Sequence, residues 1–189
     1  IAANLARIEQ QYGVALGAEF HPLIRDEAAC YASSSYAVAL AKKYRSQLHV
    51  LHLTTAKELA LFSDLPLSQK HITAEVCVHH LRYSAEDYAR LGNLLKCNPA
   101  VKSLADRTAL RSALRDGRLD IIATDHAPHT LAEKNLTYAK APAGLPLVQH
   151  ALLSVLELVQ QGELTLTQVV EKTAHAPAQR FAIAERGFL

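Results

Sequence analysis

The stretch Asp120-Ile121-Ile122-Ala123-Thr124-Asp125-His126-Ala127-Pro128-His129, with Lys134 five residues further on, decides how this chain is read. Its first half is an apolar run of strand length, and its second half is polar and turns at a proline. A strand that is apolar on both faces belongs in a sheet covered by helices, the setting of parallel sheets. Asp125 falls at the carboxyl end of the run, the edge at which α/β barrels keep their chemistry. Pro128 blocks further strand pairing and favours a loop, so His129 can turn back towards the same edge. A carboxylate and two imidazoles within five residues suit metal ligation or proton transfer. The same residues also read as a helix N-cap aspartate followed by two solvated histidines, since aspartate caps are common.

Outward from this stretch, helical and strand-like segments alternate. Residues 2–12 form an amphipathic pattern with Leu5, Ile8 and Tyr12 on one face. A helix is expected from Asp26 to Arg45, acidic at its start and basic at its end. The apolar run Leu48-His49-Val50-Leu51-His52-Leu53 is a strand, and Thr55 with Glu58 makes a capping box for a helix over 56–63. His71 to Val78 alternate as a strand. Ser84 before Glu86 and Asp87 starts a helix, another runs from Ser103 to Arg115, and Gly117 ends it. A long helix is expected from Leu147 to Gln161, then Gly162, then a last helix capped by Thr165 and Gln168. The fold class is therefore α/β, with a parallel sheet covered by helices. Three strands are visible, and a closed eight-stranded barrel needs ~250 residues, so this length holds only part of one. The competing small doubly wound sheet lacks a glycine-rich phosphate loop after any strand.

Composition narrows the function classes. The chain has 189 residues, 50% of them hydrophobic and 20% charged, which is ordinary for a soluble globular domain. Twenty basic and 18 acidic side chains leave a formal charge of +2 and no basic patch, so neither nucleic acid nor an anionic membrane is the expected partner. No apolar run approaches the ~20 residues of a membrane span. Cys30, Cys77 and Cys97 are an odd number at wide spacing, which argues against a disulfide framework or a cysteine-type zinc site and suits a reducing cytoplasm. There is no methionine at all, so the sequence is expected to be a piece of a longer protein.

Three other places carry polar residues of interest. His52, at the end of the strand 48–53, can be an imidazole metal ligand or a packed rim residue. His49, three residues earlier, points the other way and is read as structural. In Lys96-Cys97-Asn98-Pro99, Asn98 is held in extended or turn geometry with its amide free to bind a planar amide or a carboxylate, although Asn-Pro is also an everyday turn signal. Cys97 is read as buried and inert. His79 and His80 are placed at the end of a strand with one of them inward, as packing. His21, His71, His150 and His175 are read as surface or packing residues.

On these residues the chain resembles the dihydroorotases. Ala123 to Lys134 looks like the dihydroorotase signature, small-Thr-Asp-x-Ala-Pro-His with a lysine five residues on. His49 to Thr55 is similar to the family's sixth barrel strand, and Glu75-Val76-Cys77-Val78-His79-His80-Leu81 to its seventh. Cys97-Asn98-Pro99-Ala100-Val101-Lys102 resembles the Asn-Pro-Pro-Leu-Arg segment with the second proline and the arginine replaced. Ala141-Pro142-Ala143-Gly144 resembles the Ala-Pro-Phe-Gly loop with its Phe replaced.

The resemblance implies a (β/α)8 TIM-type barrel of the amidohydrolase superfamily, of which residues 1–189 are a carboxyl-terminal part, about strands 6 to 8 with their helices. It implies a two-zinc site whose hydroxide attacks a cyclic amide, reversibly converting dihydroorotate and N-carbamoyl-aspartate in pyrimidine biosynthesis. Asp125 would ligate one metal and act as general base and acid, and His52 would ligate the other. Asn98 and His129 would hold the substrate, with the backbone at Ala143 and Gly144 completing the pocket. The family's His-x-His pair and bridging ligand are absent from this sequence. Two ligands do not hold a tight zinc, which wants at least three, so residues 1–189 alone are expected to be inactive and to bind zinc weakly. A cytoplasmic homodimer is implied, and association with an aspartate carbamoyltransferase is a further expectation. The alternatives are another cyclic amidase, hydantoinase- or allantoinase-like, and an inactive scaffold that partners a carbamoyltransferase.

Overall fold

A computed structural model describes residues 1–187. Its centre is a three-stranded parallel sheet in the order β1-β2-β3, formed by β1 (Leu48–Val50), β2 (Ile72–Cys77) and β3 (Ile121–Ala123). Leu48 to Val50 pair with Ile72 to Ala74, and Glu75 to Cys77 pair with Ile121 to Ala123, so the two outer strands grip successive halves of β2. Ala74 and Val76 of β2 are fully buried, as a strand covered on both faces must be. All three strands are legible in the sequence, but two are shorter than their apolar runs. β1 stops at Val50 because the chain turns out at the exposed Leu51, although Leu53 N–H still donates to the Glu75 carbonyl at 2.8 Å.

Helices begin at the expected caps. The helix Glu27–Tyr44 starts at Asp26, whose carboxylate accepts from Ala29 N–H at 2.9 Å. The helix Leu104–Asp116 opens on a Ser103–Asp106 capping box and ends at Gly117, which adopts the left-handed conformation that glycine takes without steric cost. Thr165 and Gln168 form the box that opens Leu166–Val170. Thr55 and Glu58 exchange bonds as expected, but the segment they open is a 3-10 turn, Lys57–Leu61. The helix expected from Leu147 begins only at Ala151, because residues before it form a turn. Val38, Leu110, Leu114, Val155 and Leu158 bring these helices onto the sheet in one continuous core.

His79 and His80 require a correction. They do not end a strand: β2 stops at Cys77, and both lie in the short helix Val78–Arg82, where both are buried. Strand alternation, which would have sent only one inward, no longer applies to them.

The amino end of the sheet is pinned by buried charge. Lys70 Nζ donates to Asp120 at 2.7 Å and to the Gly117 carbonyl at 2.6 Å, while the second Asp120 oxygen accepts from Ala74 N–H at 3.0 Å. These bonds fix the register of β3 against β2, and so the height at which β3 delivers Asp125. Among the described residues no helix is long and apolar enough to cross a membrane.

Candidate active site at the carboxyl edge of the sheet

Asp125 lies two residues beyond β3 and is exposed; its carboxylate makes no hydrogen bond or ion pair among the described residues. His52 lies two residues beyond β1 and is half-buried, with its backbone N–H 3.4 Å from a carboxylate oxygen of Glu75. An uncommitted carboxylate and an imidazole at one sheet edge fit zinc in donor type, as two of its ligands. Among the described residues no hydrogen bond or ion pair joins them; β2 stands between their strands. Glu75, on that middle strand, was not singled out from sequence. It accepts from His49 Nε2 at 3.0 Å, and His49 Nδ1 bonds Thr73 at 2.8 Å, which gives His49 a structural role.

His52 and Asn98 line one cavity of about 440 Å³, together with Arg25, Cys30, His49 and Glu58. His129 Nε2 meets the Ala143 carbonyl at 3.3 Å. Gly144, at φ 148°, packs where no larger residue fits: an added Cβ would lie 2.5 Å from the Ala127 carbonyl oxygen and 3.1 Å from His129 Nε2. Gly144 N–H is committed to the Lys96 carbonyl at 2.9 Å. His126 is fixed by the fold, bridging to Leu145 and accepting from Val148 N–H at 3.0 Å.

The segment that carries Asn98 is held almost carbonyl by carbonyl. Lys134 Nζ donates to Lys96 at 3.1 Å and also to Pro142 and Gly144, both at 3.0 Å. His21 Nε2 donates to Cys97 at 2.8 Å while its Nδ1 accepts from the Tyr138 hydroxyl at the same distance. His80 Nε2 donates to Pro99 at 3.1 Å, and Thr54 and Lys102 donate to Ala100 at 3.0 and 2.8 Å. The exposed Asn98 side chain is thereby presented on a fixed backbone. His21 and Lys134, neither given a site role from sequence, do the positioning. Burial lowers the Lys134 and Lys102 pKa values, and pushes that of His21 down to about 4.

Beneath the edge, His79, His80 and Cys97 converge: one ring nitrogen from each histidine and the Cys97 sulfur lie within 4.8 Å of one another, all in buried residues. The two rings are 4.0 Å apart between centroids. Burial lowers the His79 pKa to about 4 and that of His80 well below the usual value, and it raises the Cys97 thiol to about 12. The carboxylate of Asp125 adds to the rise at Cys97, so the group lies within electrostatic reach of that candidate ligand.

No protein-family model matches the chain. A curated dihydroorotase of Enterococcus faecalis is 39% identical over 147 residues, 77% of this chain and 34% of that protein. The chain thus spans about a third of the length of this relative. Among solved structures, the L-hydantoinase (dihydropyrimidinase) from Arthrobacter aurescens superposes with a TM-score of 0.86 at 22% identity, covering 99% of this chain and 43% of its own. The dihydroorotase from Saccharomyces cerevisiae, solved with 5-fluoroorotic acid, gives 0.73 at 18% identity over 82% of this chain and 43% of its own. These superpositions establish a shared fold over those parts.

Proposed function

We propose, on the premise that this chain is a homologue of the dihydroorotases over 77–80% of its length, that the protein containing it is a metal-dependent cyclic amide hydrolase interconverting dihydroorotate and N-carbamoyl-aspartate. In this reading residues 1–189 supply about strands 6 to 8 of a (β/α)8 barrel, a single partial domain whose β1 to β3 are those strands. The observation that carries it is the arrangement after β3: Asp125 stands uncommitted at the strand end while His129 folds back onto the Ala143-Gly144 backbone.

His52 and Asp125 would hold zinc, two ions per complete site, with ligands beyond this chain. The metal, when bound, supplies Lewis acidity that polarises the amide carbonyl and acidifies water. Asp125 takes a proton from the attacking water and returns it to the ring nitrogen as the C–N bond breaks; the reverse reaction runs the same transfers backwards. Its exposed setting keeps it open to exchange that proton. Asn98 offers an amide that can pair with the ring's own amide, and His129 can turn its Nε2–H from the Ala143 carbonyl to the substrate carboxylate. Because Gly144 N–H already serves Lys96, the backbone donor which this loop offers substrate is Ala143 N–H. Ala143 in place of a phenylalanine leaves this side of the pocket roomier, and Lys102 is turned inward onto Ala100.

Steady-state assays of the whole protein on dihydroorotate, N-carbamoyl-aspartate and hydantoin test the reading. Turnover of the first two supports it. Turnover of hydantoin alone indicates another cyclic amidase, and no turnover with metal present indicates a scaffold. Homodimer formation and association with an aspartate carbamoyltransferase in the cytoplasm belong to the same proposal, and light scattering with and without that partner checks both associations.

A further inference from the structure

We propose that His79, His80 and Cys97 form a second, buried binding site for one soft divalent cation of the zinc class, distinct from the His52 and Asp125 pair. Two imidazoles and a thiol are the donor types that select such an ion over magnesium or calcium. Their ligand atoms converge to within 4.8 Å. Tetrahedral bonds of 2.0–2.3 Å separate donors by about 3.5 Å, so closure needs only side-chain shifts of about 1 Å.

The independent observation is the state of the nitrogens. Both ring nitrogens of His79 and Nδ1 of His80 are buried without any hydrogen-bond partner. Buried polar atoms are paired in nearly all native structures, so three orphans in two adjacent rings call for a ligand. The tautomer of His80 is fixed by its surroundings. A carbonyl oxygen only accepts, so the contact with Pro99 at 3.1 Å places the proton on Nε2 and leaves Nδ1 with a bare lone pair.

Cys97 Sγ donates to the same Pro99 carbonyl at 3.3 Å. Metal uptake replaces that S–H bond: the thiol proton leaves to solvent, a metal–sulfur bond forms, and two neutral imidazoles complete three ligands, leaving a fourth position for water. The complex would carry one net positive charge, which the carboxylate of Asp125 favours and the ammonium groups of Lys102 and Lys134 oppose. His21, holding the Cys97 carbonyl at 2.8 Å, fixes the backbone from which the sulfur projects. The site does not depend on the dihydroorotase reading. It supplies, within this chain, the three ligands that His52 and Asp125 alone do not.

Cobalt(II) is the probe, because zinc is spectroscopically silent. Titrating the metal-free chain should give a thiolate-to-cobalt charge-transfer band that saturates at one equivalent and is bleached by zinc. The band should vanish in Cys97→Ser and persist in His52→Ala and Asp125→Asn. Absence of the band in the folded wild-type chain overturns the proposal, as does its persistence in Cys97→Ser. Its loss in His52→Ala would place the cation at the outer site instead. Should Cys97→Ser fail to fold, X-ray absorption of the zinc-loaded wild-type chain decides: a shell of one sulfur and at least two imidazole nitrogens is expected, and a shell without sulfur overturns it.

Discussion

His52 and Asp125 hold matching positions on the two strands that flank β2: each stands two residues past its strand's last residue, and each has a left-handed backbone, φ 41° and 46°. That conformation is uncommon away from glycine and marks functional edges of folds. Two such turns, one after each outer strand, set an imidazole and a carboxylate at the carboxyl edge of one sheet.

Asp125→Asn should leave the fold intact, because asparagine tolerates the left-handed region at least as well as aspartate. If the proposed function holds, in the whole protein it should reduce kcat at least ~10²-fold, the low end for a general base. Near-ultraviolet circular dichroism and steady-state kinetics on dihydroorotate check the two halves of this expectation. A kcat within about threefold of wild type would remove Asp125 from the chemistry.

Gly144→Ala should destabilise the chain by about 1–3 kcal/mol, the usual cost of overpacking. The new methyl would press on the Ala127 carbonyl and on His129, at a φ that L-residues avoid. Urea unfolding should show a lower midpoint with an unchanged slope.

Lys134→Met should cost about 2–4 kcal/mol, since three carbonyls lose a charged donor within a buried setting. On the proposed function KM should rise more than kcat falls, because Lys134 positions the residues assigned there to substrate. A mutant with wild-type stability would mean that solvent readily replaces the ammonium.

Stability should fall as the pH is lowered from about 6.5 to about 4, in part through His21. Its folded pKa, about 4, lies below the ordinary 6.5, so across that window the unfolded chain binds a proton which the folded chain refuses. The contribution is full above pH 6.5 and lost on approaching pH 4; a shift of this size corresponds to about 3 kcal/mol. Denaturation midpoints of wild type and His21→Gln between pH 4 and 8 should converge towards the acid end.

Much of this architecture is legible in the residues. The two outer strands announce themselves as apolar runs and the middle one as an alternating run, and the Ser103, Thr165 and Asp26 caps by side chains whose only local task is to meet helix N–H groups. What escapes depends on contacts distant in sequence. His21 and Cys97 are 76 residues apart, and Lys134 and Lys96 are 38 apart, so no local pattern relates them. His79 and His80 are misplaced by the sequence pattern because an alternating strand runs without a break into a helix at Val78, and no capping residue marks the junction.

The clamp on residues 96–100 has a thermodynamic consequence. A loop that orders only when substrate arrives subtracts its lost conformational freedom from the binding energy. Here the carbonyls of Lys96, Cys97, Pro99 and Ala100 are already engaged, and the Gly144 amide is tied to the first of them. In the proposed function Asn98 and the 143–144 loop would thus meet substrate as one preorganised surface. Recognition there should proceed with a small entropic penalty and little change in amide-exchange protection.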